Sequence, residues 1–287
     1  MTEKLTKVEF TNLDKMLYPD VKITKARVIE YYIRVAPKML SIMTNRPLVL
    51  TRFPNGIDEE GFYEKDAPAG TPKWVKTFTR FSETANREIN YVICDDIDTL
   101  VWLANLAALE IHMTLSQADS FETPDLAVFD LDPTPNAEFD DVVEVANLLK
   151  GELSSMGLTS YVKTSGKKGL HILLPIVQKY TFSRVRSFVQ EVGERIRRQT
   201  SLVVTERSEG KKQGKVYIDY VQNSHGRTMI CPYSLRATPD ATVSTPLEWS
   251  EIRKGLNPKK LNLFSVAKIK ETPWEEIIEK RQKLEGI

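Results

Sequence analysis

Two aspartates stand two positions apart at the end of an apolar run. Asp130 and Asp132 close the segment Leu126–Asp132, and Pro133 follows them. Because side chains alternate along a strand, both carboxylates leave the same face, about 6.6–7 Å apart at the backbone. Two like charges at that distance repel each other, which raises a pKa unless cations neutralise them. Hard divalent ions such as Mg²⁺ or Mn²⁺ prefer oxygen ligands of this kind.

A third candidate carboxylate is Asp219, whose apolar neighbours in Val216–Val221 predict a buried strand. Three carboxylates that hold two metal ions about 3.5–4 Å apart are the apparatus of nucleotidyl transfer. One ion lowers the pKa of an attacking 3′-hydroxyl, and the other stabilises the negative charge of the triphosphate leaving group. The spacing leaves alternatives open, because two aspartates at this spacing also serve metal-dependent glycosyl transfer. Asp130 and Asp132 could also form a plain strand-ending turn, with Asp219 an exposed edge residue.

A second cluster, Thr164–His171, places two glycines and two lysines between apolar strands. Glycines such as Gly166 permit turn dihedrals and let backbone N–H groups approach an anion closely. Ser165 can add a hydroxyl, Lys168 a point charge and His171 a ring donor, which together would cradle a triphosphate. The segment is neither a Walker A loop nor a dinucleotide-binding fingerprint. A lysine-tipped surface hairpin is the alternative interpretation.

The elements that must position these groups follow from the apolar pattern. A helix is predicted from about Glu138, with Gly157 as its C-terminal stop. A second helix carries apolar residues over 185–196 and five arginines on its other face. Strands are predicted over residues 126–132, 159–163, 170–174 and 215–221. Along the first of them, Phe129 and Leu131 are expected to face the core and Val128 to point outward.

Other segments complete a mixed α/β or α+β domain. Thr24 is predicted to cap a helix, and residues 97–117 are predicted to form a central buried helix because they are apolar nearly all round. A terminal helix is expected from about Trp274. Short strands are predicted over 47–53 and 91–94. Without a repeat or a linker, residues 1–287 are expected to form a single domain.

Charge is segregated although the net charge is only +1, from 40 Lys+Arg and 39 Asp+Glu. Residues 83–144 contain 15 acidic residues and one basic residue, whereas residues 163–215 contain 13 basic and four acidic residues. Both runs could be solvated faces. They could also form acidic metal ligands beside a basic track for phosphates.

Composition narrows the class of protein. A charged fraction of 28% beside 41% apolar residues is typical of a soluble globular chain. No apolar run approaches the roughly 18 residues of a membrane helix, and the polar start lacks a signal-peptide core. Cys94 and Cys231 cannot form a disulfide framework or a four-thiolate zinc site. We expect an intracellular protein, cytoplasmic and associated with the nucleoid, and the Met1 start favours a free-standing chain.

The motifs together resemble the archaeo-eukaryotic primase superfamily. Asp130-Leu-Asp-Pro133, Ser165–His171 and Asp219 match its three ordered motifs. The resemblance is closer to the polymerase domain of bacterial DNA ligase D and its free-standing bacterial and archaeal relatives, and it covers nearly the whole chain. Other matching segments are Asn12–Pro19, Trp102–Asn105, Leu109–His112 and Pro232–Arg236.

This resemblance implies an α+β primase-polymerase core of mixed and antiparallel sheets flanked by helices, with the active site in the cleft between sheets. It implies that Asp130, Asp132 and Asp219 bind two divalent ions, Mn²⁺ or Mg²⁺. The residues that it places around the incoming nucleotide are Ser165, Gly166, Lys168, His171, Arg236, His112, Lys212, Gln222 and Arg52. On the residues alone, His112 is better explained as a satisfied helix histidine.

The resemblance also implies a site for the DNA end. Lys15 and Lys25 match a lysine pair that binds the 5′-phosphate across a gap, where two ammonium groups would flank a dianion. Phe62 and Tyr63 match an aromatic pair that stacks on the template, a contact that is indifferent to sequence. Thr51 replaces a basic residue of the family, so one nucleotide-phosphate contact is lost or moved.

The implied activity is template-directed gap filling and end extension in non-homologous end joining, with nucleoside triphosphates as substrates and ribonucleotides preferred. A Ku-like end-binding protein is an implied partner. Because no K-x-D-G adenylation motif occurs in the chain, the DNA ligase is expected to be a separate chain or to lie outside this sequence. Two alternatives compete. A replicative primase small subunit usually carries a Cys/His zinc cluster, which two Cys and three His cannot supply here. A non-catalytic end-binding and synapsis module would not need the three aspartates.

Overall fold

Two six-stranded sheets and the helices that cover them make up the fold. The computed structural model describes residues 7–82, 85–206, 208, 212–277 and 279–284. The helices are α1 (Lys25–Met43), α2 (Ile97–Asn105), α3 (Phe139–Ser155), α4 (Phe182–Gln199) and α5 (Leu263–Val266). The strands are β1 (Met16–Tyr18), β2 (Ile23–Thr24), β3 (Pro47–Arg52), β4 (Phe62–Glu64), β5 (Thr77–Ser82), β6 (Arg87–Ile93), β7 (Ala108–Thr114), β8 (Leu126–Pro133), β9 (Tyr161–Thr164), β10 (Leu170–Pro175), β11 (Val203–Val204), β12 (Val216–Asp219), β13 (Thr228–Ile230) and β14 (Pro246–Leu247). This arrangement confirms the predicted α+β class.

The first sheet has the strand order β13-β7-β3-β6-β5, and β4 pairs with β3. Leu48 and Leu50 of β3 and Ile111 of β7 are buried in one apolar cluster with Tyr32 of α1 and Leu100 of α2. Helices α1 and α2 therefore share a core with this sheet.

The second sheet has the order β11-β12-β8-β10-β9-β14 and is antiparallel except for the β11–β12 pair. Phe129 and Leu131 of β8 pack in a second apolar cluster with Phe188 of α4 and Leu149 of α3. Val128 belongs to the cluster of the first sheet and is fully buried. The prediction that Val128 points outward was wrong, because the first sheet covers that face of β8.

The predicted helix over residues 97–117 was also wrong. Helix α2 ends at Asn105, Ala107 adopts a left-handed φ of 56°, and β7 then begins at Ala108. A strand buried on both faces is as uniformly apolar as a buried helix, so periodicity cannot separate the two. His112 consequently lies on a strand.

The terminal helix expected from about Trp274 is not formed by the described residues 273–277, which form turns. Trp274 is buried instead as a core side chain, with its ring 6.2 Å from that of Tyr161. Within the described part of the chain, no helix is long and apolar enough to cross a membrane.

Long-range polar contacts fasten the N-terminal helix to the rest of the fold. The hydroxyl of Tyr31 donates to the carbonyl of Tyr233 at 2.7 Å, and that of Tyr32 donates to the carbonyl of Leu109 at 2.8 Å. A buried ion pair between Arg46 and Asp125 is bidentate, at 2.7 and 2.8 Å. These contacts satisfy polar groups that would be costly to bury alone.

Candidate active site

Four neighbouring strands of the second sheet place four chemically active side chains in one row. Asp219 of β12 lies opposite Asp130 of β8, Asp130 lies opposite His171 of β10, and His171 lies opposite Lys163 of β9. Residues directly opposite each other in antiparallel strands share a face. Val128, two residues before Asp130, lies in the core of the first sheet, so the row faces the cleft between the two sheets.

Asp130 is the centre of this row. Its Oδ1 atom is buried and has no hydrogen-bond partner, although Nε2 of His171 lies 3.2 Å away. Burial raises the pKa of Asp130, while the charges of Lys163 and Arg236 oppose that shift. A buried carboxylate oxygen without a donor is the kind of atom that a cation would satisfy.

Asp132 lies at the exposed rim of the same strand. Partial desolvation in the cleft and the neighbouring charge of Asp130 raise its pKa. The raised pKa values show that neighbouring positive charges do not fully stabilise the two ionised carboxylates. This agrees with the repulsion that their spacing predicted.

Asp219 ends β12 and begins the short 3₁₀ turn Tyr220–Asn223. Its Oδ1 accepts hydrogen bonds from the backbone N–H of Val221 at 2.9 Å and from the hydroxyl of Tyr217 at 3.2 Å. Within the described ranges, no three His, Cys, Asp or Glu side chains converge in a geometry that could hold a metal ion. The strand register thus brings Asp219 beside Asp130, while local contacts hold one of its oxygens.

Lys163 is a site residue that sequence reasoning missed. Its side chain is completely buried, and its Nζ lies 2.9 Å from Nδ1 of His171 and 2.6 Å from Oγ of Ser244. Burial and the charge of Arg236 lower the pKa of Lys163 to about 7, and burial and Lys163 lower the pKa of His171. Only the register of β9 against β10 reveals this pair, because a lone lysine in an apolar strand carries no motif.

The glycine hairpin between β9 and β10 folds over the aspartate strand. Oγ of Ser165 accepts hydrogen bonds from the backbone N–H groups of Lys167 and Gly169, at 3.2 and 3.1 Å. Gly166 has φ +74°, and a Cβ there would lie 2.6 Å from Cγ of Arg236. A Cβ on Gly169 would lie 2.3 Å from the carbonyl oxygen of Leu131. Both glycines are needed because neighbouring groups approach their Cα atoms so closely.

Arg236 is held rigidly at the side of this hairpin. Its Nη1 donates to the carbonyl of Ser165 at 2.8 Å, and its Nε donates to Oε1 of Glu110 at 3.0 Å. Burial raises the pKa of Glu110, but a hydrogen bond from His112 and the charges of Arg236 and Lys167 outweigh it and hold the pKa well below its usual range. Glu110 is a second residue that sequence reasoning missed, since it contacts an arginine 126 positions away.

A cavity of about 910 Å³ lies beside these groups, and its lining does not include Asp219, Lys163 or Glu110. Nine predicted site residues line it: Asp130, Asp132, Ser165, Gly166, Lys168, His171, Arg236, His112 and Gln222. Residues that the sequence did not indicate complete the wall, namely Thr228–Ile230 of β13 and Lys259. The cavity combines carboxylates on one wall with several basic side chains on the other.

Two predicted nucleotide contacts lie outside the lining of this cavity in the described part of the chain, Arg52 and Lys212. Arg52 pairs with Glu64 at 2.9 Å and donates to the carbonyl of Leu106 at 3.2 Å. Its guanidinium also lies 5.0 Å from the ring centroid of Phe62. The structure thus places Arg52 under the aromatic pair rather than beside the carboxylates.

Lys15 and Lys25 are brought together near the N-terminus. The backbone N–H of Lys25 donates to the carbonyl of Lys15 at 2.8 Å. Burial lowers the pKa of Lys25, and the nearby charge of Lys15 lowers it further. Nζ of Lys25 donates to the carbonyl of Asn105 at 2.9 Å, so this lysine also caps the end of α2. Lys15 contacts Asn55 at 2.8 Å.

The aromatic pair lies on β4 at the surface. Phe62 is 43% exposed and Tyr63 is 57% exposed, which is unusual for side chains of this size. Exposed rings next to basic side chains are typical of surfaces that stack nucleic-acid bases.

The fold and the cleft together define the class of protein. Paired carboxylates opposite a basic, glycine-rich hairpin in a cleft between two sheets are an arrangement suited to nucleotidyl transfer.

Comparison with known sequences identifies the family. The profile described as "LigD, primase-polymerase domain" matches residues 24–274. The chain therefore belongs to the LigD primase-polymerase domain family. The Bifunctional non-homologous end joining protein LigD of Bacillus subtilis is 36% identical over 262 residues, which are 91% of this chain and 42% of that protein. A LigD of Mycobacterium tuberculosis is 34% identical over 86% of this chain and 33% of that protein.

The chain thus spans less than half the length of these curated relatives. A solved structure described as "Polymerase Domain from Mycobacterium tuberculosis Ligase D in complex with DNA" is similar, with a TM-score of 0.87 and 31% identity. The match covers 96% of this chain and 99% of that one. Its extent confirms the fold that the sequence resemblance implied.

Proposed function

We propose that the protein is a template-directed polymerase that fills gaps and extends DNA ends during non-homologous end joining. The observation that carries this proposal is the row Asp219–Asp130–His171, of which Asp130 and His171 line a cavity between the sheets beside the hairpin 165–169. Residues 1–287 would act as a single domain, and the apolar cluster shared by the first sheet and Val128 supports that view.

Asp130, Asp132 and Asp219 are the residues that would hold two divalent ions, Mn²⁺ or Mg²⁺, after their side chains, which do not converge on one point in the structure, turn toward the ions. The fit rests on the buried, unpartnered Oδ1 of Asp130, on the raised pKa values of Asp130 and Asp132, and on an all-oxygen donor set. Bound there, such ions would make the 3′-hydroxyl a better nucleophile and stabilise charge on the leaving triphosphate. The protein itself contributes a rigid strand pair that fixes the positions of Asp130 and Asp219.

The opposite wall of the cavity would bind the incoming nucleoside triphosphate. Arg236 is already oriented by Glu110 and by the carbonyl of Ser165, so little side-chain entropy is lost when it contacts a phosphate. Lys168 is exposed at the mouth of the cavity and can add a charge without breaking a buried contact. Backbone and side-chain donors of the hairpin would then surround the phosphate oxygens.

Lys15, Lys25, Phe62 and Tyr63 would form the site for the DNA end. The lysines lie next to each other and would bind a 5′-phosphate, while the exposed rings would stack on template bases. Support comes from the similar polymerase domain, whose structure is described as a complex with DNA. A Ku-like protein and a separate ligase would be the partners of the present protein. Ribonucleotides would be the preferred substrates of its active site.

The decisive experiment is primer extension on a short-gapped duplex that carries a 5′-phosphate. Ribonucleotides and deoxyribonucleotides would be compared in Mn²⁺ and in Mg²⁺. Asp219→Ala, Asp130→Ala and Asp132→Ala are each expected to abolish extension, by on the order of 10³-fold or more, while DNA binding is retained. Asp119→Ala, which changes an exposed carboxylate in a surface turn, is the matched control and should extend normally.

Two results would contradict the proposal. Extension that survives Asp219→Ala would remove Asp219 from the chemistry. Absence of incorporation with either metal, together with tight binding of phosphorylated ends, would instead support a non-catalytic bridging protein.

A further inference from the structure

A chain of hydrogen bonds with a fixed direction runs behind the carboxylate row. Its first member is the carbonyl oxygen of Thr164, which can only accept. The hydroxyl of Ser244 lies 2.9 Å away and donates its single proton to that oxygen. Oγ of Ser244 must therefore accept from its other neighbour, Nζ of Lys163, which lies 2.6 Å away.

The direction continues through Lys163 to His171. In its charged form Lys163 has three donors and no lone pair, so Nδ1 of His171, 2.9 Å from Nζ, then accepts. A neutral imidazole carries one proton, and with Nδ1 accepting, that proton is on Nε2. His171 lines the cavity, whereas Lys163 is completely buried and is not among the residues that line it.

We propose that Lys163 is a positioning residue that holds His171 in the Nε2–H tautomer, so that the ring presents one hydrogen-bond donor to an anionic oxygen of the nucleotide triphosphate. The inference rests on the proposed function for its ligand, but the tautomer itself is a property of the free protein. Nε2 lies 3.2 Å from Oδ1 of Asp130 without forming an aligned hydrogen bond, so its proton remains available to an oxygen in the cavity. With the opposite tautomer, an unprotonated Nε2 would face the phosphate and repel it.

A charge on Lys163 alone would also attract phosphate, and a purely structural role would also make substitutions harmful. The loss of a charge predicts the same loss of affinity for any neutral replacement, and a purely structural role predicts a loss that follows stability and not the tautomer of His171. The directional chain predicts a difference between two neutral replacements, Lys163→Gln and Lys163→Met.

In Lys163→Gln the amide has one orientation that satisfies its neighbours. The proton of Ser244 is committed to Thr164, so the amide NH₂ must face Oγ of Ser244 and the amide oxygen must face His171. That oxygen accepts only, which draws the ring proton to Nδ1. In Lys163→Met the side chain offers no acceptor to Nδ1. A proton on Nδ1 would be buried without a hydrogen-bond partner, so the ring keeps its proton on Nε2.

The test is ¹⁵N NMR of the protein with labelled histidine, in the absence of DNA, nucleotide and metal. The chain contains three histidines, so His112→Gln and His225→Gln assign the signals. A protonated and an unprotonated ring nitrogen differ widely in ¹⁵N shift, so each spectrum gives the tautomer directly. At about pH 6, where the charged form of Lys163 predominates, we expect Nε2–H in the unmodified protein, Nε2–H in Lys163→Met and Nδ1–H in Lys163→Gln.

A second measurement is the affinity of a nucleoside triphosphate without primer. Lys163→Gln should bind about tenfold more weakly than Lys163→Met, which is the value of one hydrogen bond to a charged group. Equal losses in the two variants would overturn the proposal.

An Nδ1–H or doubly protonated His171 in the unmodified protein would also overturn it, and this result needs no variant to fold. Nε2–H retained in Lys163→Gln would do the same. The expected tautomers in a protein that extends no primer would contradict the proposed function and leave the role of Lys163 on the ring intact.

Discussion

The cleft and the surface around β4 differ in how their polar groups are held. In the cleft, Arg236, Glu110 and Lys163 are bound to other residues of the protein at 2.6–3.0 Å. At the surface, Phe62 and Tyr63 are exposed and Lys15 contacts one asparagine. The cleft is therefore ordered before a ligand arrives, whereas a DNA end must itself order the surface site. Substitutions in the cleft should accordingly affect stability as well as activity, and surface substitutions should affect binding alone.

The largest effect on stability is expected for Arg236→Ala. The change leaves the carboxylate of Glu110 buried without its main partner, which costs about 3 kcal/mol of unfolding free energy. Urea denaturation measures this loss, with Arg227→Ala on the exposed neighbouring loop as the control. If both variants unfold at the same urea concentration, Glu110 does not depend on Arg236 and the contrast between the two regions fails.

Asp130→Asn should stabilise the metal-free protein while it destroys activity. Burial raises the pKa of Asp130 to about 6 from an ordinary 3.8, so the folded state resists its ionisation. That cost is fully present above pH 6, disappears below the ordinary pKa, and amounts to about 3 kcal/mol. Unfolding free energies in a chelating buffer should therefore show a gain at neutral pH that shrinks as the pH falls. A loss of stability at neutral pH would show that the protein, and not a cation, satisfies this carboxylate.

Removing the exposed rings should weaken DNA binding without destabilising the fold. Phe62→Ala or Tyr63→Ala is expected to cost about 1–2 kcal/mol of binding to a duplex with a single-stranded template, because one stacked base is lost. Tyr63→Phe keeps the ring and should bind normally. Fluorescence anisotropy and thermal unfolding measure the two properties, and a lower Tm for Tyr63→Ala would show that the exposed ring has a structural role.

The smallest expected effects on stability and binding distinguish Lys15 from Lys25. Lys15→Ala and Lys25→Ala should both reduce the preference for a 5′-phosphorylated gap, and the double substitution should remove it. Only Lys25→Ala should also lose stability, by about 1 kcal/mol, because its ammonium caps α2 through Asn105. Extension of phosphorylated and unphosphorylated gaps, with urea denaturation, tests both statements. Equal extension of the two substrates by the unmodified protein would exclude the phosphate site.

The sequence predicted the parts of the site that consist of short motifs. Asp130 and Asp132 follow from spacing, and the hairpin 165–169 follows from its glycines, since both depend on residues adjacent in the chain. Lys163 and Glu110 could not be predicted, because their importance comes from strand register and from a contact between β7 and a residue 126 positions later. The resemblance placed Arg52 near the nucleotide because of its position in the sequence. A sequence position does not give the contacts that orient a side chain, and Glu64 and Leu106 hold Arg52 next to Phe62.

Two of the errors, the orientation of Val128 and the helix predicted over residues 97–117, have one physical cause. Val128 and the residues of β7 are buried on both sides, so their apolar pattern has neither the period of a helix nor the alternation of a half-buried strand. Helix α2 ends without glycine or proline, at an alanine in the left-handed conformation. The packing of the two sheets against each other favours this change from helix α2 to strand β7.

The hydroxyls of Tyr18 and Tyr31 donate to carbonyl groups of Arg236 and Tyr233, more than 200 positions later in the chain. During synthesis, α1 therefore emerges long before the groups that complete its surroundings. Closing such long loops is slow, and the apolar face of α1 stays exposed to aggregation until they close. A fragment that stops short of residue 233 would leave both hydroxyls without these acceptors. Arg236 and the first helix should thus become ordered in the same late step of folding.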